Sequence, residues 1–162
     1  MLPPGCPPSS SSTAEVLMVN VHFTSRGGSD PLFGAVQPPR NGGEQERAAQ
    51  AQAIRSYLAN LAPDPDRRVV VLGDFNAFQF ELPLLTLSDG GGPGLVNLTT
   101  KLPLVERHSY VFEGNAQALD HVPVDVESAT AAQYEVMRLN SGRAAQVSDH
   151  DPPIVRLQVP PS

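Results

Sequence analysis

Residues 68–78 read RVVVLGDFNAF, and this stretch decides how the chain folds and where its chemistry lies. Its short apolar run of β-branched residues ends at Gly73, a pattern typical of a buried strand. The strand would deliver Asp74 and Asn76 to the loop at its carboxyl end, where open sheets usually bind ligands. A carboxylate there can hold a metal or a water, and an amide can donate to a phosphate oxygen. Taken alone, Asp-x-Asn is more often a turn whose side chains satisfy the local backbone.

The segments around this strand predict a mixed α/β fold. Residues 15–23, EVLMVNVHF, are nearly continuous in β-forming residues, which predicts a strand buried on both faces with His22 at its end. Residues 89–94, DGGGPG, predict a turn or mobile loop. A short helix is predicted over residues 81–87, and further strands over 109–113, 118–126, 134–139 and 154–159. This order indicates a sheet with helices on its outside.

The clearest helix follows the first strand. Asn41 is predicted to cap it, with Glu44 three residues later as the reciprocal partner. Pro63 and Pro65 are predicted to end it. Its apolar stripe consists of Ile54, Tyr57, Leu58 and Leu61. A helix with one apolar stripe must cover another element, which we expect to be the sheet.

Length and composition limit the classes of protein. The 162 residues with 40% apolar content suit one domain, which we assign to residues 15–159 after a disordered Pro- and Ser-rich leader at 1–14. The leader lacks the pattern of a signal peptide, and no apolar run reaches the roughly 18 residues of a membrane span. Cys6 is the only cysteine, which excludes an intrachain disulfide. The net charge of −6 argues against a general nucleic-acid-binding surface, so phosphate chemistry must be local.

Three more groups are candidates for chemistry. Asp149 and His150 lie between a loop and a strand, where the carboxylate could bind a hard cation and the imidazole could move a proton. Asp120 stands in an otherwise apolar strand, and a histidine base needs a carboxylate to fix its tautomer. We therefore predict a dyad of Asp120 and His150. The alternatives are a surface turn at 149–150, which Asp151 favours, an outward-facing polar position at 120, and a satisfied strand-end residue at His22.

The segment 24–43 is dense in Gly and Pro and too long for a simple connection, which favours a functional loop. Arg26 and Arg40 are its candidates for contacting a phosphate. Arginines in such a loop are also commonly just solvated.

Four segments, VNVHF, VVVLGDFNAF, ALDHV and VSDHDP, occur in the order of the corresponding motifs of the endonuclease/exonuclease/phosphatase superfamily, the group that includes deoxyribonuclease I. The loop and helix of residues 22–52 and the segment SYVFEGNAQALDH resemble the bacterial extracellular nucleases in particular. The resemblance covers residues 16–157. It implies part of a four-layer α/β sandwich, two packed mixed sheets flanked by helices, without the N-terminal portion.

The resemblance also implies an activity, the hydrolysis of a phosphodiester by in-line attack of water. His22 and Asn76 would bind the scissile phosphate, and Asp74 would orient the water. His150, oriented by Asp120, would transfer a proton or stabilise the phosphate.

The resemblance implies a cofactor, Mg²⁺ or Mn²⁺, alone or together with Ca²⁺. Asp149 and Asp74 would contribute to the metal site. The strands in which the superfamily carries its principal metal-binding Glu have no counterpart in this sequence.

The sequence leaves three functions open. The first is a divalent-metal-dependent nuclease, with DNA as the expected substrate ahead of RNA and with no membrane partner. The second is a catalytically inactive fragment or mis-started gene product, which the missing Glu motivates. The third is a phosphomonoesterase or phospholipid phosphodiesterase of the same fold. The resemblance implies an extracellular or periplasmic location for the intact family member.

Overall fold

The structure is a computed structural model that describes residues 15–31, 33–61, 64–89 and 94–159. The predicted leader at 1–14, most of the predicted loop at 89–94 and Pro63 lie outside the described residues. The strands are β1 (Val16–His22), β2 (Arg68–Asp74), β3 (Val96–Asn97), β4 (Tyr110–Phe112), β5 (Asn115–Gln117), β6 (Asp120–His121), β7 (Pro123–Val124), β8 (Gln133–Val136) and β9 (Pro153–Arg156). The α-helices are α1 (Glu44–Ala59), α2 (Leu82–Asp89) and α3 (Val126–Ala131).

A five-stranded sheet forms the centre of the described residues, with β2 as its hub. β1 pairs with β2 in parallel, and α1 makes the crossover that a parallel connection requires. On its other edge β2 pairs antiparallel with β6 and then β7, and β7 pairs with β3. The predicted strand at 118–126 is thus split in two, and Pro123, which cannot donate to a ladder, stands at the break.

Helices cover one face of this sheet. Ala51 and Leu58 of α1 and Leu84 and Leu87 of α2 pack into a buried cluster with Val71 of β2. The helix predicted after the first strand is therefore present, and its apolar side does cover the sheet. Tyr57, however, is half exposed rather than part of the stripe.

A smaller sheet covers the opposite face. β8 and β9 form an antiparallel pair, and Tyr134 and Val155 from that pair pack against a second buried cluster that contains Val70 and Val124 of the central sheet. The order of layers is helices, central sheet and β8–β9 with α3. This arrangement confirms the predicted mixed α/β class.

β1 corrects one prediction. Its residues alternate between exposed and half-buried, so it is not buried on both faces. Leu17, Val19 and Val21 pack toward the helices, whereas Val16 and Met18 are exposed on the other side. The apolar run predicts two-sided burial, but β1 lies at the edge of the described sheet, and the β8–β9 cluster does not include it.

The structure also corrects the prediction for the start of α1. Gly43, with a left-handed φ of 70°, occupies the N-cap position, and no side chain caps the helix. Asn41 instead hydrogen-bonds Arg47 and Glu81. The expected capping box is wrong because longer-range partners hold the Asn41 side chain.

Within the described residues, none of the helices combines the length and apolar character needed to cross a membrane.

Candidate active site

Strand register places three predicted site residues side by side. His22 at the end of β1 is the register partner of Asp74 at the end of β2, and Asp74 is the partner of Asp120 in β6. Side chains at paired positions lie on the same face of a sheet. The three side chains therefore form a row across the carboxyl end of β1 and β2, on the face that the β8–β9 pair covers.

Two backbone positions set the sharp turn after β2. Gly73 has a φ of 133°, and a Cβ there would lie 2.0 Å from the carbonyl oxygen of Val21 in β1. Only glycine allows the two strands to approach this closely. Asn76 has a φ of 47°, a left-handed conformation that is uncommon outside glycine and that clusters at functional sites. The turn brings Asn76 back over Asp74.

Asp74 stands between two imidazoles. Its Oδ2 lies 3.5 Å from Nε2 of His22 and 4.0 Å from Nε2 of His150. Burial raises the pKa of the Asp74 carboxyl, and the hydrogen bond from the backbone N–H of Asn76 at 2.7 Å opposes that rise. A carboxylate with a raised pKa is a better proton acceptor near neutral pH than an ordinary aspartate.

His150 is held by Asp120. Its Nδ1 lies 2.6 Å from Oδ2 of Asp120, and the Ser109 hydroxyl donates to the same oxygen at 2.7 Å. The hydrogen bond to Asp120 raises the pKa of His150, and burial opposes it. Because the carboxylate accepts from Nδ1, Nε2 points toward Asp74 and is free to exchange a proton there. The contact expected of the dyad is present, and its catalytic role stays a prediction.

Ser109 was not anticipated from the sequence. It is fully buried, and its hydroxyl also accepts hydrogen bonds from the backbone N–H groups of Leu119 and Asp120. These contacts fix the Asp120 carboxylate in front of His150. A serine just before a short strand gives no sequence signal of this role.

The Asn76 amide differs from expectation. Its Nδ2 donates to the carbonyl oxygen of Phe23 at 3.1 Å and to Oδ2 of Asp74 at 3.0 Å. Both N–H bonds of the amide are therefore used within the protein. In this arrangement Asn76 orients Asp74, and donation to a phosphate would require it to give up one of these bonds.

His121 has a structural position. It is fully buried, its Nε2 lies 2.8 Å from the carbonyl oxygen of Ala77, and its Nδ1 lies 3.1 Å from Nδ2 of Asn97. Since a carbonyl only accepts, Nε2 carries the proton and Nδ1 accepts. Burial lowers the pKa of His121 to about 4, so it stays neutral and anchors the turn that carries Asn76.

Arg26 reaches the same turn from the loop at 24–43. Its guanidinium forms an ion pair with Glu81 at 2.9 Å, donates to the carbonyl oxygen of Asn76 at 3.3 Å and lies 4.7 Å from the ring centre of Phe78. Glu81 also accepts from the backbone N–H of Phe78. The predicted contact of Arg26 with substrate stays a prediction. The Arg40 guanidinium donates to the carbonyl oxygen of Gly28 within its own loop.

The two aspartates that flank His150 lie in different environments. Asp149 is exposed, beside His150 in sequence. Asp151 is fully buried, where its Oδ1 accepts from the backbone N–H groups of Leu139, Asn140 and Ser141. Asp151 thus organises the turn before β9.

A metal site is not complete in this part of the chain. Among the described residues, no three His, Cys, Asp or Glu side chains are grouped in an arrangement that could hold a metal ion. Asp74 already accepts from Asn76 through both carboxylate oxygens. The residues present do not fit a divalent cation by themselves.

No family model and no curated protein matches this chain. Solved structures do. A mannosyl-6-phosphatase of Bacteroides thetaiotaomicron matches with a TM-score of 0.53 and 20% identity, over 72% of this chain and 47% of that one. An endonuclease/exonuclease/phosphatase protein of Bacteroides vulgatus matches with a TM-score of 0.54 and 18% identity, over 73% and 46%. A 3′ phosphatase of Neisseria bound to a product DNA hairpin matches with a TM-score of 0.55 and 18% identity, over 87% and 60%.

Identities of 20% or less show a shared fold rather than a shared activity. The matched span is 46% to 60% of the length of these three structures. The chain therefore has the endonuclease/exonuclease/phosphatase fold over about half the length of the solved structures that it matches.

Proposed function

We propose that this chain carries the site of a phosphoester hydrolase and that its substrate is a phosphodiester of a nucleic acid, DNA in the first place. The observation that supports this most is the convergence of two imidazole Nε2 atoms, those of His22 and His150, on one carboxylate oxygen of Asp74. Hydrolysis of a phosphate ester needs an acceptor for the proton of water and donors for the phosphate oxygens. Asp74 supplies the proton acceptor, and the imidazoles of His22 and His150 beside it supply the donors.

Each residue has a specific task in this proposal. Asp74, whose pKa burial raises, orients a water and accepts its proton as the water attacks phosphorus. His150, whose pKa the hydrogen bond to Asp120 raises, donates from Nε2 to a phosphate oxygen or to the leaving oxygen. The exposed imidazole of His22 contacts another phosphate oxygen, and Asn76 holds Asp74 in place.

A divalent cation, Mg²⁺ or Mn²⁺ alone or together with Ca²⁺, belongs to the proposal because of the family resemblance. Asp149 is exposed next to the site and Asp74 faces it, and both offer oxygen atoms of the kind that such cations prefer. The described residues do not complete a ligand set, so no step of the proposed reaction is assigned to a metal.

A phosphomonoester is the second candidate substrate. Two of the matching structures are described as phosphatases, one for a mannosyl 6-phosphate and one for a 3′ phosphate with DNA as its product. The arrangement of His22, Asp74 and His150 suits a monoester as well as a diester, because both present non-bridging oxygens and one leaving oxygen.

The test is a comparison of three substrates with the purified chain: plasmid DNA, a 3′-phosphorylated oligonucleotide and bis(4-nitrophenyl) phosphate. Each is incubated with Mg²⁺, with Mn²⁺ and with a chelator. We expect hydrolysis that falls at least a hundredfold in His150→Ala and in Asp74→Ala, since proton transfer contributes about 10² to 10⁴ to such rates. Glu135→Ala, at an exposed position of β8, is the matched control and should retain the full rate.

The possible results separate the alternatives. Cleavage of the 3′-phosphate alone would select the monoesterase. No hydrolysis of any substrate under any metal condition would leave the inactive fragment. Full activity in both variants would show that the assigned roles are wrong.

A further inference from the structure

A basic pocket lies on the surface of this acidic chain. Its cavity measures about 620 Å³ and is lined by His108, Arg138, Ser141, Gly142 and Arg143. The chain carries a net charge of −6, so two arginines around one cavity are a local reversal of charge. Such a concentration is the kind of feature that attracts an anion.

The two arginines of the pocket differ in their contacts with the rest of the protein. The Arg138 guanidinium donates to the carbonyl oxygens of His108 and Glu106 and lies 3.7 Å from the Asp151 carboxylate, which fixes its position. Asp151 is already satisfied by three backbone N–H groups and the Ser141 hydroxyl. Two guanidinium charges and one carboxylate leave the pocket with a net positive charge.

Arg143 supplies the available group. It is exposed, and within residues 15–31, 33–61, 64–89 and 94–159 its side chain has no hydrogen-bond or ion-pair partner. Beside it Gly142 leaves open space, since a Cβ there would meet nothing within 4 Å. An oxyanion in the pocket would therefore meet a fixed guanidinium on one side and a free one on the other. Planar guanidinium groups match phosphate oxygens in geometry as well as in charge.

Two connections join the basic pocket to the candidate active site. Arg138 binds the carbonyl oxygen of His108, and the next residue, Ser109, donates to Asp120 at 2.7 Å. Asn140, next to Ser141, donates from Nδ2 to the carbonyl oxygen of His150 at 2.7 Å. The pocket residues His108 and Ser141 are thus chain neighbours of Ser109 and Asn140, which hydrogen-bond Asp120 and His150.

We propose that the basic pocket binds a second phosphate of the substrate, one along the same polynucleotide strand as the phosphate that reacts between Asp74 and His150. This proposal rests on the proposed hydrolase function and deepens it. A pocket for a second phosphate favours a polynucleotide over a substrate with a single phosphate.

The experiment measures binding of a fluorescein-labelled single-stranded DNA decamer by anisotropy, in a chelator so that no strand is cut. Arg143→Ala and Arg143→Glu are compared with Arg156→Ala and Arg156→Glu, which change an exposed arginine on β9 away from the pocket. We expect R143E to weaken binding on the order of tenfold more than R156E. R143A should also lower the slope of log affinity against log salt by about 0.7, the loss of one single-strand phosphate contact.

A second readout uses a substrate with only one phosphate. Hydrolysis of bis(4-nitrophenyl) phosphate should be the same in R143E and in the unchanged chain, and inorganic phosphate should compete weakly with the decamer. If R143E and R156E weaken decamer binding equally, or neither does, the pocket is not a phosphate site. Absence of decamer binding in the unchanged chain overturns the proposal as well.

The two proposals can fail separately. If no substrate is hydrolysed but R143E alone weakens decamer binding, the pocket stands as a phosphate site for a bound strand and the hydrolase function falls. If DNA is hydrolysed and R143E behaves like R156E, the hydrolase function stands and the pocket falls.

Discussion

Nδ1 of His150 lies 2.6 Å from Oδ2 of Asp120, although 30 residues separate them along the chain. The same carboxylate oxygen accepts from the buried hydroxyl of Ser109. The Tyr110 ring packs 4.7 Å from the imidazole, centre to centre. These contacts fix the imidazole in one orientation, with Nε2 toward Asp74.

The pH dependence of hydrolysis follows from this contact. If His150 acts in its protonated form, activity is present below its raised pKa and is lost as pH rises through it. Asp120→Asn removes the charge and keeps the shape, so the pKa of His150 should fall and the alkaline limb of kcat/KM should move to lower pH. Each unit of that displacement costs about tenfold in rate above the limb.

Full pH–rate profiles of the unchanged chain, Asp120→Asn and Ser109→Ala check this prediction. Ser109→Ala keeps the carboxylate charge, so it should move the limb far less than Asp120→Asn does. A rate lowered equally at every pH, with the limb in its original place, would contradict it.

The left-handed backbone conformation of Asn76 and the hydrogen bonds of its amide can be tested separately with two variants. Asn76→Ala removes the amide and keeps a Cβ at a φ of 47°, whereas Asn76→Gly removes the amide and the strain together. We expect the free energy of unfolding to be about 1 kcal/mol higher in the glycine variant than in the alanine variant. Both should lose hydrolysis alike, because each leaves Asp74 without the Nδ2 hydrogen bond.

Glu113 provides the matched control for Asn76. It has a φ of 49° in the turn between β4 and β5, and it is exposed. In urea unfolding, Glu113→Gly should be more stable than Glu113→Ala. Hydrolysis should be unchanged in both variants. Unequal activity of the two variants at position 76 would show that strain itself contributes to function.

His121 should make the fold sensitive to mild acid. Its pKa is lowered to about 4 in the fold, against an ordinary value of 6.5, so the unfolded chain takes up a proton first as pH falls. The contribution of His121 is therefore complete above 6.5 and is lost between 6.5 and about 4. The loss is on the order of 3 kcal/mol over that interval.

Urea unfolding at pH 7 and pH 4.5 measures this loss. His121→Gln can still donate to the carbonyl oxygen of Ala77 and does not titrate, so its stability should change less between the two pH values. His121→Asn, whose amide is too short for that carbonyl, should be less stable than His121→Gln at pH 7. An equal pH effect in the unchanged chain and His121→Gln would assign the sensitivity to another group.

The fold was predictable where one signal dominates. The apolar run before Gly73 predicted β2 from residue 68, and the stripe of Ile54 and Leu58 predicted α1. β3 and β5 were missed because strands of two or three residues are too short to show a period. The one-sided exposure of β1 was missed because composition reports apolar residues and not what covers them.

The candidate site divides in the same way. The carboxylates and imidazoles of the row were found from their residue types and their places at strand ends. The roles of Ser109 and His121 depend on contacts with residues 11 to 44 positions away, which no local pattern encodes. The amide of Asn76 was assigned to a phosphate because its two internal acceptors become visible only when β1 and the turn after β2 are placed together.

The ion pair of Arg26 and Glu81 tests whether the loop at 24–43 binds substrate or holds the site. Both side chains are largely buried, with 23% and 12% exposed, and Glu81 also holds Asn41 and the backbone of Phe78. A double-mutant cycle of Arg26→Ala and Glu81→Ala should give a coupling energy of about 1 kcal/mol or more in urea unfolding. Arg40→Ala, on the exposed part of the same loop, is the control and should change stability by less than about 0.5 kcal/mol.

Kinetics of the same variants then decide the role of Arg26. A positioning role, in which the guanidinium holds the carbonyl oxygen of Asn76, predicts that Arg26→Ala and Glu81→Ala lower kcat together. A direct contact with the substrate phosphate predicts a raised KM in Arg26→Ala alone. The structure favours the first outcome because Glu81 already neutralises the guanidinium at 2.9 Å, and a phosphate would have to displace that carboxylate. A raised KM in Arg26→Ala with an unchanged kcat in both variants would show that the ion pair opens when substrate binds.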